Sequence, residues 1–311
     1  MEHESNQNFN TLSFAQREGR APLPELMQPE HVPAKFKQLI WRVLEKEIQR
    51  ESKNAAFGLL GSARIYKRHS RLEKILFRYR YEILEMPHDQ ARYQHWRLEN
   101  KVDPELDKGW IRAVIYEGEY HETLNFIEFL IRQPECSDAL CKKIKIAFDS
   151  SPIAYYIATI DNLPTIVPRQ DLDSGKATRQ AIETIMLSKM EGAAKHLRQA
   201  VEQIHSKQYA KSIAESIHAV ESVARMIDPN ANKTLGSALD SLEGTGLLKH
   251  SALKGAFKKL YGYTNDEEGI RHALLTSNSP DVGLDEAMFM FGACAHFAAY
   301  LTSKHKVLQG S

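Results

Sequence analysis

The 311 residues contain few of the features that stiffen, staple or anchor a chain. Three cysteines, Cys136, Cys141 and Cys294, form neither an even framework nor a CxxC pair. That excludes a disulfide-built scaffold, argues against a structural zinc site and fits a reducing, cytoplasmic setting. Twelve prolines and 16 glycines are too few for a fibrous or low-complexity chain. No apolar run is long enough to span a bilayer: the strongest, 287–301, is interrupted by His296 and reads as a buried helix. No basic stretch followed by an apolar core opens the chain, so a secretory signal and a membrane role are not expected. Neither sign of charge dominates, the total being +1. Also missing are GxxxxGK[ST], GxGxxG after a strand, HExxH and GxSxG. Phosphate-loop hydrolysis, Rossmann cofactor binding, zincin proteolysis and α/β-hydrolase chemistry therefore lack their local signatures, and no cofactor or metal is expected.

The near-neutral total conceals segregation. Residues 1–33 net −3, 34–101 net +8, 102–175 net −6 and 176–311 net +2. The densest basic run, 64–80, carries Arg64, Lys67, Arg68, Arg71, Lys74, Arg78 and Arg80 against the single acid Glu73, interleaved with Tyr66, Phe77 and Tyr79. Cations that neutralise phosphates beside rings that stack on bases suit an RNA-facing surface, with Arg64, Lys67, Arg68, Arg71, Arg78 and Arg80 as the candidate contacts. An amphipathic helix that buries Leu72, Ile75, Leu76 and Tyr79 accounts for the same pattern.

Apolar spacing predicts a mostly α protein with one small β-hairpin. Pro22, Pro24, Pro29 and Pro33 suggest an extended arm, followed by a helix with Phe36, Ile40, Val43, Leu44 and Ile48 on one face. Further helices are expected at about 70–86, 104–117, 120–132 and 138–149. β-branched and aromatic residues around Asp161-Asn162 predict a hairpin near 154–168. Beyond a polar connector, helices at about 176–206, 209–228, 234–242, 250–260, 265–275 and 285–304 read as an up-and-down bundle. The expected division is a domain over 1–170 and a bundle over 176–311.

Two segments of the bundle carry chemistry. On the first, Glu215, His218 and Ser222 recur at helical spacing, as do Glu221 and Arg225, giving a packing helix a polar stripe. On the second, Arg271 and His272 follow a Tyr-rich turn and the acids Asp266 to Glu268. A guanidinium grips a phosphate with two charged hydrogen bonds and an imidazole moves a proton near neutrality, so the pair is a minimal kit for breaking a phosphodiester without metal.

Ser13-Phe-Ala-Gln-Arg-Glu-Gly19 and Leu39-Ile-Trp41 resemble one amino-terminal domain type of the AbiJ abortive-infection proteins. The hairpin, Glu215-Ser-Ile-His-Ala-Val-Glu221, Leu260-Tyr-Gly-Tyr-Thr264 and Gly269-Ile-Arg-His-Ala273 resemble the rest of that group, whose carboxy-terminal half is similar to HEPN domains. The resemblance implies helical bundles that pair as homodimers, phage defence, and metal-independent RNA cleavage, with an antitoxin or defence-system partner. It assigns Arg271 and His272, assisted by Glu221 and His218, to the site. The His that closes the HEPN motif is absent: Thr276, Ser277 and Asn278 stand at those spacings. Proton transfer then falls to His272 or His218. Two other readings use the same residues: a pocket that binds RNA or a nucleotide without cutting, and a dimerisation module in which Arg271 and His272 fasten the 261–265 turn.

Overall fold

A computed structural model describes residues 28–57, 71–85, 104–228, 235–244, 247–248, 250–262 and 282–309. The described residues are mostly α-helical with one two-stranded sheet, as apolar spacing predicts. They divide into two compact units, one within Met1–Tyr156 and Gln170–Leu172 and one within Ile157–Arg169 and Asp173–Ser311. The hairpin was expected with the first domain, whereas all but the start of its first strand clusters with the second unit.

The first unit is built from α1 (Ala34–Phe57), α2 (Arg71–Arg78), α3 (Pro104–Tyr116), α4 (Tyr120–Arg132) and α5 (Asp138–Asp149). Local chemistry starts these helices where the sequence says it should. Ser137 caps α5 by accepting from the Leu140 N–H at 3.2 Å, and Glu119 with Glu122 forms a capping box at α4. Spacing of three and four then brings Phe36, Ile40 and Leu44 to one face of α1, all fully buried. Phe36 meets Phe148 of α5 edge to face, with centroids 4.7 Å apart. Of the Pro-rich arm only 28–33 is described; there the Glu30 N–H donates to the Tyr155 hydroxyl at 3.2 Å.

The helix expected over about 70–86 changes character midway. α2 runs into a π-helical turn at Tyr79–Ile83, where one extra residue per turn rotates the following side chains relative to an α-helical continuation. Tyr79 is buried edge-on to Trp110, Phe126 and Phe129, at 5.9, 5.3 and 5.1 Å. Its neighbour Arg80 is buried too, at 3% exposure.

The second unit begins with most of the hairpin β1 (Tyr155–Ile160) and β2 (Leu163–Pro168). Asp161 and Asn162 take φ of 52° and 61°, the left-handed pair that a two-residue hairpin turn needs and that these residue types tolerate. α6 (Leu172–Leu187), α7 (Glu191–His205), α8 (Tyr209–Ile227), α9 (Leu235–Gly244), α10 (Ser251–Gly262) and α11 (Leu284–Gln309) follow. α7, α8 and α11 pack on one another, and Leu197 and Val201 of α7, Ile213, Ile217 and Val220 of α8, and Phe291, Ala298 and Leu301 of α11 are all buried.

The single helix expected over 176–206 is two helices. Lys189 turns left-handed with φ 56°, and the Met190 N–H closes back on the Ile185 carbonyl at 3.3 Å, the geometry of a helix end. Lys stands where Gly usually does, so nothing in the apolar rhythm marks the break. Among the described residues, no helix is long and apolar enough to cross a membrane.

Candidate functional site

α7 and α8 form an antiparallel hairpin of helices joined by Ser206–Gln208, in which Lys207 is left-handed and the Gln208 N–H bonds the Gln203 carbonyl at 2.8 Å. So short a connection sets the register between them. The packing face of α8 is apolar, whereas Glu215, His218, Glu221, Ser222 and Arg225 recur at three and four residues along a less buried stripe.

Across the seam stands His196 of α7. Its Nδ1 lies 2.7 Å from Glu215 Oε2, so the carboxylate accepts the imidazole N–H. His218 Nδ1 is 3.9 Å from the same oxygen, and the two imidazole centroids are 5.4 Å apart. Side-chain exposures of 34%, 26% and 37% for His196, Glu215 and His218 leave all three open to solvent yet shielded on the helix side. Two imidazoles and a carboxylate within 4.8 Å of one another can pass protons, or can ligate a cation.

One turn further along α8, Glu221 is 13% exposed and pairs with Arg225 at 3.5 Å. The helices approach closely here: a Cβ on Gly192 would lie 2.3 Å from Ser222 Oγ. Gly192 therefore permits an approach that carries His196, one turn away, up to α8.

Glu221 and His218 thus share one stripe, with Glu215 between His218 and the opposing His196. Arg271 and His272 lie outside the described residues, as do Arg64, Lys67 and Arg68. The described arginines of the basic run are differently disposed. Arg71 is exposed and borders a small cleft whose other lining includes the carboxylates Glu47, Glu51 and Glu135. Arg78 pairs with Glu135 and donates to Gln133 Oε1 at 2.7 Å. Arg80 places its guanidinium 4.8 Å from the centre of the Trp110 ring, a cation–π contact inside the first unit. Arg78 and Arg80, expected as RNA contacts, are therefore engaged within the protein, because helix and π-turn geometry aims them at Glu135 and Trp110.

His196 is the residue that sequence reasoning overlooked. Two residues on, Arg198 spans Asp161 at 3.1 Å and Glu202, fastening the β-turn to α7. The available signal was Gly192 and His196 at i, i+4, a small residue and an imidazole on one face of a predicted helix. A second pair was also missed: the Cys136 and Cys141 Sγ atoms are 3.1 Å apart, as free thiols. A hydrogen bond from Cys136 lowers the Cys141 thiol to about 7, while that bond and burial raise Cys136.

A mostly helical protein of two units, the second bearing a polar seam between α7 and α8, is the class these observations define. The chain belongs to the AbiJ N-terminal domain 4 family, whose pattern matches residues 12–184, more than half of the sequence. Membership suggests abortive-infection defence as its setting. No curated protein and no solved structure matches it.

Proposed function

We infer that this protein is an abortive-infection effector whose second unit cleaves RNA without a metal ion, in the manner of a HEPN domain. The observation that carries the reading is the seam: His218 and Glu221 stand on one half-open stripe of α8, one turn apart. Membership in an AbiJ family supplies the defence setting. The HEPN resemblance of 210–275 supplies the reaction class.

In the proposed reaction a base removes the proton of a ribose 2′-hydroxyl, and that oxygen attacks the adjacent phosphorus. The bond from phosphorus to the 5′-oxygen breaks, and an acid returns a proton to that oxygen, leaving a 2′,3′-cyclic phosphate and a 5′-hydroxyl. Arg271 grips the phosphate and opposes the charge that builds on its oxygens. His272 and His218 divide the proton transfers, and Glu221 orients the neighbouring cations. Pairing of two chains through the bundle is part of the reading, as is restraint by a partner in the resting cell. The exposed Arg71, with Arg64, Lys67 and Arg68, contributes long-range attraction for RNA.

A second reading rests on one observation, the Thr276, Ser277 and Asn278 that stand where HEPN motifs close with His. There the same surface binds RNA or a nucleotide and does not cut.

Overproduction tests the site that both readings share. Wild type should arrest growth, and Arg271→Ala and His272→Ala should each restore it while accumulating to the same level. Arrest that is equally severe in wild type and both variants rejects this assignment of the site.

A further inference from the structure

The notable feature of the α7–α8 seam is its donor set. Two imidazoles and one carboxylate, from His196 on α7 and from Glu215 and His218 on α8, offer ligand atoms that all lie within 4.8 Å of one another. A tetrahedral ion with bonds of about 2.0–2.2 Å holds its neighbouring ligand atoms roughly 3.3–3.6 Å apart. The His196–Glu215 pair is already at 2.7 Å and His218 stands 3.9 Å from the same carboxylate oxygen. Small rotations of three half-exposed side chains therefore suffice to reach ligand geometry. We propose that His196, Glu215 and His218 form a binding site for a single divalent transition-metal ion of the zinc type.

Chemistry selects the class of ion. Two nitrogen donors and one oxygen suit Zn²⁺, Co²⁺ or Ni²⁺, whereas Mg²⁺ and Ca²⁺ prefer all-oxygen shells. Three protein ligands on a partly open face leave room for water or a substrate atom at a fourth position. The scaffold is also suitably stiff. All three ligands project from helices, and the Gly192–Ser222 approach holds those helices close one turn from His196 and one turn from His218.

Binding here is independent of the ribonuclease reading, since no step of that reaction uses a metal. The two are nonetheless linked through His218, which cannot ligate a cation and transfer a proton at once. Where both hold, metal in the seam and proton transfer by His218 exclude one another.

The test is calorimetric titration of the metal-stripped full-length protein with Zn²⁺, and with Co²⁺ followed by its visible absorption, no RNA being present. One equivalent per chain should bind, with Mg²⁺ at the same concentration giving no heat. His196→Ala and His218→Ala should each abolish that equivalent and the cobalt bands. Glu215→Gln should weaken binding by roughly tenfold or more, since even outer partners of a metal site are worth about 10–100-fold. The half-exposed positions of both His tolerate Ala, and circular dichroism checks that the variants remain folded. Binding that survives both His substitutions overturns the site, and so does a wild type that takes up no Zn²⁺ or Co²⁺. Neither outcome bears on RNA cleavage in EDTA, so failure of the metal site and failure of the ribonuclease reading remain distinguishable.

Discussion

Arg80 of the first unit and His196 of the second are both polar side chains on helical elements rich in apolar residues, and they have opposite fates. Arg80 is 3% exposed, its guanidinium laid 4.8 Å from the Trp110 ring centre. Its neighbour Arg78 pairs with Glu135 and Gln133. His196 instead stands half-exposed, and its Nδ1 meets another titratable group, Glu215, at 2.7 Å. In the first unit, then, Arg78 and Arg80 of the basic run are spent on contacts within the protein, while Arg71 stays exposed. In the second, charge is gathered where solvent and solutes reach it. A net of +8 over residues 34–101 counts cations without saying which are available, and availability is what an RNA would sense.

The largest effect that probes this contrast is on stability. Phe126 is fully buried and meets both Tyr79 and Trp110 edge to face. Phe126→Ala should destabilise the first unit by about 3–5 kcal/mol, read as a lower midpoint in thermal or urea unfolding. Gly118→Ala comes next, because an added Cβ would lie 2.4 Å from the Val114 carbonyl oxygen. Backbone there cannot swing aside, so a loss of about 1–3 kcal/mol is expected. A smaller cost, about 1–2 kcal/mol, is expected from Arg80→Ala, which removes a desolvated cation–π contact. Its RNA affinity and the salt dependence of that affinity should match wild type; a clearly shallower salt slope would break the contrast. The smallest effect is chemical. Alkylation of Cys141 should accelerate as pH rises through about 7, since the thiolate is the nucleophile and Cys136 stabilises it. Cys294, raised by burial to about 12, should stay unmodified in the folded protein, as mass spectrometry of the labelled peptides would show.

Features encoded within one turn of chain were legible from sequence. Asp161-Asn162 announces the hairpin because those side chains tolerate left-handed backbone. Phe36, Ile40 and Leu44 announce the buried face of α1 because three-and-four spacing is itself the face. Features that depend on what lies opposite were not legible. The break at Lys189 uses no Gly or Pro, and burial of Met190 at 8% helps to hold it. The π-helical turn that buries Arg80 follows from docking Tyr79 among three aromatic rings. Half of the seam was visible, as Glu215, His218 and Glu221 share a helix. His196 was not, because its place beside Glu215 depends on interhelical register, which the closeness of Gly192 to Ser222 helps to fix. The same holds for Cys136 and Cys141, whose meeting depends on how the turn after α4 folds back onto α5.

One measurement bears most directly on the central claim that the second unit cleaves RNA by proton transfer without metal. Purified full-length wild type, His218→Ala, His272→Ala and Arg80→Ala proteins are each incubated with RNA in excess EDTA, and the product ends are analysed. The account predicts cleavage by wild type and Arg80→Ala to fragments ending in 2′,3′-cyclic phosphate, with roughly 10²–10⁴-fold slower cleavage by the two His variants, the usual worth of a general acid or base. Intact RNA with wild type, or cleavage at the wild-type rate by both His variants, would contradict it.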